Sequence, residues 1–334
     1  MRILVIYNND ALVSDDEDNS HLCLESRGSI KKVAGHVANV LNQIDSYQTI
    51  IEPLSHLKEL VPLVSKHQPQ LVFNLCESLA GDANAEIEVA KQLEALKLPF
   101  TGNASQALNL CLDKYLCNQL LFEHDLPVPY SKCISRLEDL EDFQFKHQRY
   151  IVKPNDEDGS TGIDQCSVVH TMTGLIEKVE QLQRYKNQRL LIQEFIEGRE
   201  INVTFIGHNL TPHWSMSEIE FSTYFDDKPK ILTYRSKWVE NSPEFQGTTS
   251  TSAKINEEMR FKLFNIVEKG CQKLGLNGYG RFDFKLSDNM IPYIIDVNPN
   301  CDLDPNAGFS RASSFNNINY HDLIHAIVQH TLRT

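Results

Sequence analysis

The residues whose types and spacing best suit chemistry lie at 279–298, in two largely apolar stretches joined by the polar turn Ser287-Asp288-Asn289. The first, Tyr279–Leu286, alternates small or polar residues with aromatic and aliphatic ones, the period-two pattern of a half-buried strand. Arg281 and Asp283 stand two apart in it, and Asp296 and Asn298 stand two apart in the second. Residues i and i+2 share a face of a strand. A hairpin of these stretches therefore gathers a guanidinium, two carboxylates and an amide on one side. Oxygen ligands of this kind suit a hard cation, and Mg²⁺ commonly takes one or two carboxylates together with substrate phosphates. The competing reading is a solvated hairpin face with a surface Arg–Asp pair. The apolar character of 291–297 argues against an exposed edge, so its polar residues are expected to face something specific.

Upstream residues have the chemistry to meet a phosphate. The strand pattern at 149–154 ends in Lys153-Pro154, and the loop that follows contains Gly159-Ser160-Thr161-Gly162. Backbone N–H groups of such a loop can wrap phosphate oxygens, and a neighbouring lysine adds a point charge. Many loops contain Gly-Ser, so this signal is weak by itself. The G-x-x-x-x-G-K-[ST] spacing is absent. Asp156, Glu157 and Asp158 are expected to point to solvent. Lys114 opens a helix running to about His124, where a surface lysine is equally natural. The segment 190–200 reads as a strand followed by a turn at Gly198. The segment 221–252 is long, polar and aromatic, and a long loop in a compact domain is usually functional.

The elements that must position these groups follow from periodicity. Short apolar runs at 3–7, 48–51 and 71–75 alternate with helical patterns at 29–44, 54–66 and 83–96. That alternation predicts an α/β unit with a parallel sheet, ending near Gly102. Ligands of such sheets bind beyond the carboxyl ends of the strands, which directs attention to the loops at 8–27 and 76–84, the latter with Glu77 and Asp82. A chain of 334 residues has room for two or three domains. The formal net charge of −13 argues against nucleic acid and against an anionic membrane surface, while a few local cations still permit a nucleotide. Eight cysteines without a C-x-x-C pair argue against a disulfide framework or a zinc site. With no signal-like or membrane-length apolar run, a cytoplasmic location is expected.

The pattern R-x-D, turn, acid-x-Asn resembles the metal-binding end of the ATP-grasp fold. Over most of its length the chain is similar to the D-alanine–D-alanine ligases and their relatives, which join a carboxylate to an amine at the expense of ATP. The resemblance implies an N-terminal parallel α/β domain (1–102), a central ATP-grasp subdomain (103–190) and a C-terminal ATP-grasp subdomain (191–334). It implies that Asp283, Asp296 and Asn298 hold Mg²⁺ or Mn²⁺. It implies that Lys114, Lys153, Gly159, Ser160 and Thr161 meet the ATP phosphates. Gln193, Glu194, Phe195 and Ile196 would form the adenine hinge, with Gln193 in place of the more usual acid, and Glu200 would bind ribose. Lys237 and Trp238 resemble the family's lid, and Arg281 would stabilise a tetrahedral oxyanion. Glu25, four residues before Ser29, takes the place of a glutamate that holds the first substrate's amine.

Two stretches depart from the pattern. A glycine-rich start is missing from the first loop, which is acidic and longer. After Asn298, Ala307 stands near a serine that grips the second substrate's carboxylate, which leaves Arg311 as the candidate for that task, with Asp302 and Asp304 able to read an amine. The implied activity is carboxylate–amine ligation of amino acids or a small peptide. A phosphotransferase, a peptide-tailoring ligase with a larger acceptor and a non-catalytic nucleotide-binding module stay open. Homodimers are common among the resembled ligases.

Overall fold

The computed structural model describes residues 1–9, 30–80, 82, 84–185, 188–207 and 213–334. Strand β1 (Arg2–Asn8) is flanked in parallel by β2 (Gln48–Leu54) and β3 (Leu71–Leu75), in the order β2-β1-β3. Helix α1 (Ile30–Asn42) buries Ile30, Val33, Ala34, Val37 and Leu41, the three-to-four spacing of an amphipathic helix. β2 runs three residues past the expected 48–51 because Glu52, Pro53 and Leu54 keep pairing with Ile6, Tyr7 and Asn8. Pro53 is tolerated because β2 is an edge strand. The helix expected from residue 54 accordingly starts later, as α2 (Leu60–His67), and α3 (Asn84–Ala95) follows β3.

Helices α4 (Ser105–Leu112) and α5 (Lys114–Glu123) lead into a four-stranded antiparallel sheet. Its strands are β4 (Ser131–Ile134), β5 (Tyr150–Pro154), β6 (Val168–Val169) and β7 (Leu190–Glu194), in the order β4-β7-β5-β6, with helix α6 (Met172–Tyr185) packed on it. β7 spans the expected boundary at 190/191 and belongs to this sheet.

The third sheet is antiparallel, in the order β10-β9-β8-β11-β12. It contains β8 (Arg199–Ile206), β9 (Ser215–Phe221), β10 (Thr248–Ser252), β11 (Tyr279–Leu286) and β12 (Pro292–Asn298). Between β9 and β10 lie the short helices α7 (Tyr234–Trp238) and α8 (Pro243–Gln246), and between β10 and β11 lies α9 (Glu257–Leu274). Period-two alternation decides the two faces of this sheet. Ile201, Val203 and Phe205 of β8 and Phe282, Phe284 and Leu286 of β11 pack with α9 residues such as Leu263 and Val267. Their intervening neighbours, Glu200, Asn202, Arg281, Asp283 and Lys285, face the other way. Helix α10 (Gly308–Phe315) lies against β8 and β9, and α11 (Tyr320–Thr331) returns to pack on α1.

One asparagine, just past the first unit, ties the chain to β11. Asn103 donates from Nδ2 to the carbonyl of Tyr279 at 2.8 Å and accepts at Oδ1 from the backbone N–H groups of Asn277 and Gly278. The chain passes so close here that a Cβ on Gly278 would lie 2.0 Å from the Gly102 carbonyl oxygen.

Candidate active site

The β11–β12 hairpin pairs Arg281 with Asn298 and Asp283 with Asp296. A plain hairpin would not do this. Farther along, Lys285 pairs with Tyr293, and uninterrupted pairing from there would set Ile295 opposite Asp283 and Val297 opposite Arg281. Asp296 and Asn298 would then point into the apolar core. A register shift between Asp283 and Phe284 skips Ile295, so the parity of β12 reverses and its polar residues join those of β11. The skipped residue is used: Lys153 Nζ donates to the Ile295 carbonyl at 3.1 Å.

Asp283 is the most heavily bonded group on this face. Arg281 grips it with Nε to Oδ1 at 2.5 Å and one terminal nitrogen to Oδ2 at 2.8 Å. Asn202 donates to Oδ1 at 2.7 Å and Asn298 to Oδ2 at 3.2 Å. Asp296 is freer, with Asn298 Nδ2 at 3.5 Å and Lys114 Nζ at 3.7 Å. Burial would raise the Asp296 pKa, but Lys114, Lys153, Lys237 and Arg281 outweigh it and hold the carboxyl below its ordinary value. Burial lowers Lys153 and Lys237 from the usual lysine value, with the aspartates offsetting part of the effect. Lys114 is also desolvated, yet Asp158 and Asp296 raise it above its usual value. Three lysines thus converge on two carboxylates and an amide.

The loop after Lys153 and the segment carrying Lys237 hold each other. Trp238 Nε1 donates to the Gly159 carbonyl at 3.0 Å, and the Tyr234 backbone N–H donates to the Ile163 carbonyl at 3.0 Å. Gly159 and Gly162 sit at φ +66° and +73°, and a Cβ on Gly162 would meet Pro154 Cγ at 3.0 Å. The segment expected as one long loop is partly ordered by caps: Thr233 accepts from Ser236 N–H to start α7, and Ser242 accepts from Phe245 N–H, ahead of Pro243, to start α8. The loop's acids were expected to face solvent; Asp158 is exposed as expected, Asp156 only partly, and each has a cationic partner. Asp156 is paired with Arg189 at 2.6 Å, and Asp158 with Lys114 at 2.7 Å.

A narrow cleft opens beside these groups, lined by Lys114, Cys117, Leu121, Leu191, Gln193, Ile294 and Asp296 among others. Gln193 is buried at its wall. In the neighbouring hinge stretch, the backbone N–H groups of Glu194 and Phe195 donate to the Tyr130 and Arg149 carbonyls. The Glu194 carboxylate meets His147 Nδ1 at 2.9 Å, and Ile196 is buried. Glu200 forms a buried pair with Lys285 at 2.9 Å.

Around the candidate substrate end, Asp302 accepts from the Asp304 N–H, and burial raises its pKa. Arg311 lies on the exposed side of α10, where partial burial and Arg281 lower its pKa. Ala307 precedes α10 without a side-chain cap. Glu25 lies outside the described residues.

Several groups escape a reading by sequence. Asn202 was discoverable, because Glu200-x-Asn202 repeats on β8 the i, i+2 spacing of Arg281-x-Asp283. Glu86 was not. Asn300 donates to it at 2.9 Å from a position 214 residues away, and burial, reinforced by Asp158 and Glu77, pushes its pKa well above the ordinary carboxylate value.

Comparison with known proteins bears on this arrangement. Residues 111–302, more than half of the chain, match the ATP-grasp domain family. A D-alanine–D-alanine ligase of Desulforamulus reducens is 23% identical over 281 residues, covering 81% of this chain and 84% of that protein. The uncharacterized protein y4sG of Sinorhizobium fredii is 26% identical over 259 residues, 77% of this chain and 73% of that one. The crystal structure of the Bacillus anthracis D-alanine–D-alanine ligase complexed with ATP superposes with a TM-score of 0.75 at 18% identity, over 100% of this chain and 98% of that one. With its cleft between two antiparallel sheets and the family match over more than half its length, the chain belongs to the ATP-grasp family.

Proposed function

We propose that this chain is an ADP-forming ligase that joins the carboxylate of one small amino acid or peptide to the amine of another through an acyl phosphate. The observation that carries the reading is the placement of Lys114 and Lys153 against β12 beside Asp296, on the Arg281–Asp283–Asp296–Asn298 face, with Lys237 acting on the same carboxylates. The ligases among its relatives support it.

The two carboxylates, with an amide whose oxygen would turn to the ion, fit Mg²⁺ better than a softer ion. Among the described residues no group of three or more His, Cys, Asp or Glu side chains could hold a metal, and these residues would share a cation with a bound nucleotide. Asp283, Asp296 and Asn298 would hold it, and it would supply charge neutralisation between the terminal phosphates. Lys114, Lys153 and Lys237 spread positive charge over those phosphates as a substrate carboxylate attacks. The backbone of Gly159–Thr161 covers them from one side, and Trp238 seals the loop against water, which protects an acyl phosphate from hydrolysis. Arg281 commits Nε and one terminal nitrogen to Asp283, while its other terminal nitrogen lies beside Gly308. That nitrogen is free to meet the oxyanion formed when the amine attacks, a contact of a kind often worth ~3–4 kcal/mol of barrier. Gln193 and the hinge 194–196 take the adenine, and Glu200 takes the ribose while still paired with Lys285.

For the first substrate, the acids Glu25, Glu77 and Asp302 favour an amine. For the second, the missing hydroxyl at Ala307 and the guanidinium of Arg311 favour an acceptor other than D-alanine, held through its carboxylate. We further propose that the unit boundary falls after Glu194, where the middle sheet ends. A cytoplasmic homodimer completes the proposal and rests on the resemblance. ATP-dependent phosphate release over a panel of amino acids and dipeptides tests the reading. Release that requires both a carboxylate and an amine substrate is expected, and release with the carboxylate alone would instead indicate phosphoryl transfer.

A further inference from the structure

The phosphate loop carries three consecutive acids, Asp156-Glu157-Asp158, among lysines proposed to hold phosphate. Two of these acids are tied in different ways. Asp156 belongs to a fixed network. Arg189 donates to it at 2.6 and 3.2 Å and reaches Asp113 at 2.9 Å, and the Asn155 amide donates to both aspartates at 2.8 Å. Asp113 in turn caps α5, the helix that opens with Lys114. Asp158, two residues on, stands outside this network. Its Oδ1 sits 2.7 Å from Lys114 Nζ, closer than Asp296 at 3.7 Å. The Asp158 side chain is 56% exposed, whereas that of Lys114 is 10% exposed. Beyond it the backbone turns through positive φ at Gly159, Ser160 and Gly162. One end of the acidic run is thus anchored, and the other is a solvent-accessible carboxylate resting on the ammonium group meant for phosphate.

We propose that Asp158 is a displaceable internal stand-in for the nucleotide's phosphate on Lys114, and that competition between the two sets nucleotide selectivity and release. The proposal rests on the reading of Lys114 as a phosphate-gripping lysine. A carboxylate and a phosphate oxygen seek the same cation, and both cannot hold it at full strength. A polyphosphate carries several charges and displaces a single exposed carboxylate, while adenosine reaches the base cleft and leaves Asp158 seated. When the nucleotide departs, the carboxylate returns to the ammonium group, so release does not leave Lys114 uncompensated. Asp156 stays on Arg189 throughout, which confines the movement to the glycine-bearing half of the loop.

The test is calorimetric titration of ATP, ADP and adenosine, with Mg²⁺, into the full-length protein, Asp158→Asn, Lys114→Gln and the double variant. Asp158 is exposed, so its substitution does not threaten folding. Asp158→Asn is expected to tighten ATP and ADP by about two- to fivefold, the scale of an exposed ion pair, and to leave adenosine unchanged. Lys114→Gln is expected to weaken ATP, and the Asp158 effect is expected to vanish in the double variant. If Lys114→Gln leaves ATP affinity intact, the reading of Lys114 fails and the stand-in fails with it. If Lys114→Gln weakens ATP while Asp158→Asn leaves it unchanged or weaker, the reading of Lys114 survives and the stand-in is overturned, Asp158 then serving the bound nucleotide.

Discussion

Ile295 is skipped in the pairing of β12 with β11, and that one residue turns Asp296 and Asn298 towards the cations while lending its carbonyl to Lys153. Arg281 is equally specific, because a planar guanidinium grips Asp283 with two nitrogens and keeps a third beside Gly308. Arg281→Ala is expected to lower kcat by roughly 10²–10³-fold with nucleotide affinity little changed, and Arg281→Lys should not rescue it. Steady-state kinetics and nucleotide titration check both, and equal turnover in the alanine variant removes Arg281 from the chemistry. Glu86 supports a pH prediction. Burial, helped by Asp158 and Glu77, raises its folded pKa well above the unfolded value of about 4.3, with Asn300 offsetting part of the rise. The folded state then binds a proton that the unfolded chain has released, so stability falls as pH rises through that window. Glu86→Gln should match the wild-type Tm near pH 4 and exceed it at pH 8. A lower Tm at pH 8 would mean that the charged form is stabilised by the fold.

At the scale of elements, the alternation in β11 made its two faces legible, because each apolar residue of Phe282-Phe284-Leu286 announces a polar neighbour on the other side. The bulge was not legible, since nothing in Ile294-Ile295-Asp296-Val297 marks which residue is left unpaired. The ion pairs of the phosphate loop's acids were not legible because their partners come from elsewhere in the chain, Lys114 on α5 and Arg189 just before β7. Helices α7 and α8 announce themselves by Thr233 and Ser242-Pro243, caps that the length of the segment obscured. Trp238→Phe removes the bond to the Gly159 carbonyl and keeps the aromatic cover. It should raise KM for ATP several-fold while changing kcat less, and an unchanged KM would separate the lid from the loop. The buried Lys285–Glu200 pair makes a stability prediction. Lys285→Met leaves a carboxylate uncompensated and should cost about 3–5 kcal/mol by urea denaturation, and the double variant with Glu200→Gln should recover most of it.

For the molecule as a whole, the net charge of −13 coexists with a cleft where three lysines and an arginine face two aspartates. The global charge argues against nucleic acid on electrostatic grounds, yet it carried no information about this local field. The parallel sheet and the ATP-grasp membership were readable from strand–helix alternation and from R-x-D with acid-x-Asn. The substrate end was less so, because its candidates come from α3, the segment after β12 and α10, and the contact of Asn300 with Glu86 spans 214 residues. A ligase that proceeds through an acyl phosphate must transfer one carboxylate oxygen to the phosphate it releases. Amino acids labelled with ¹⁸O in the carboxyl group, incubated with the protein, ATP and Mg²⁺, test that directly by mass spectrometry of the phosphate. One labelled oxygen in each phosphate released, appearing with amide product, is the expected result. Phosphate formed without label would show that water, not a carboxylate, receives the phosphoryl group, and would contradict the ligase account.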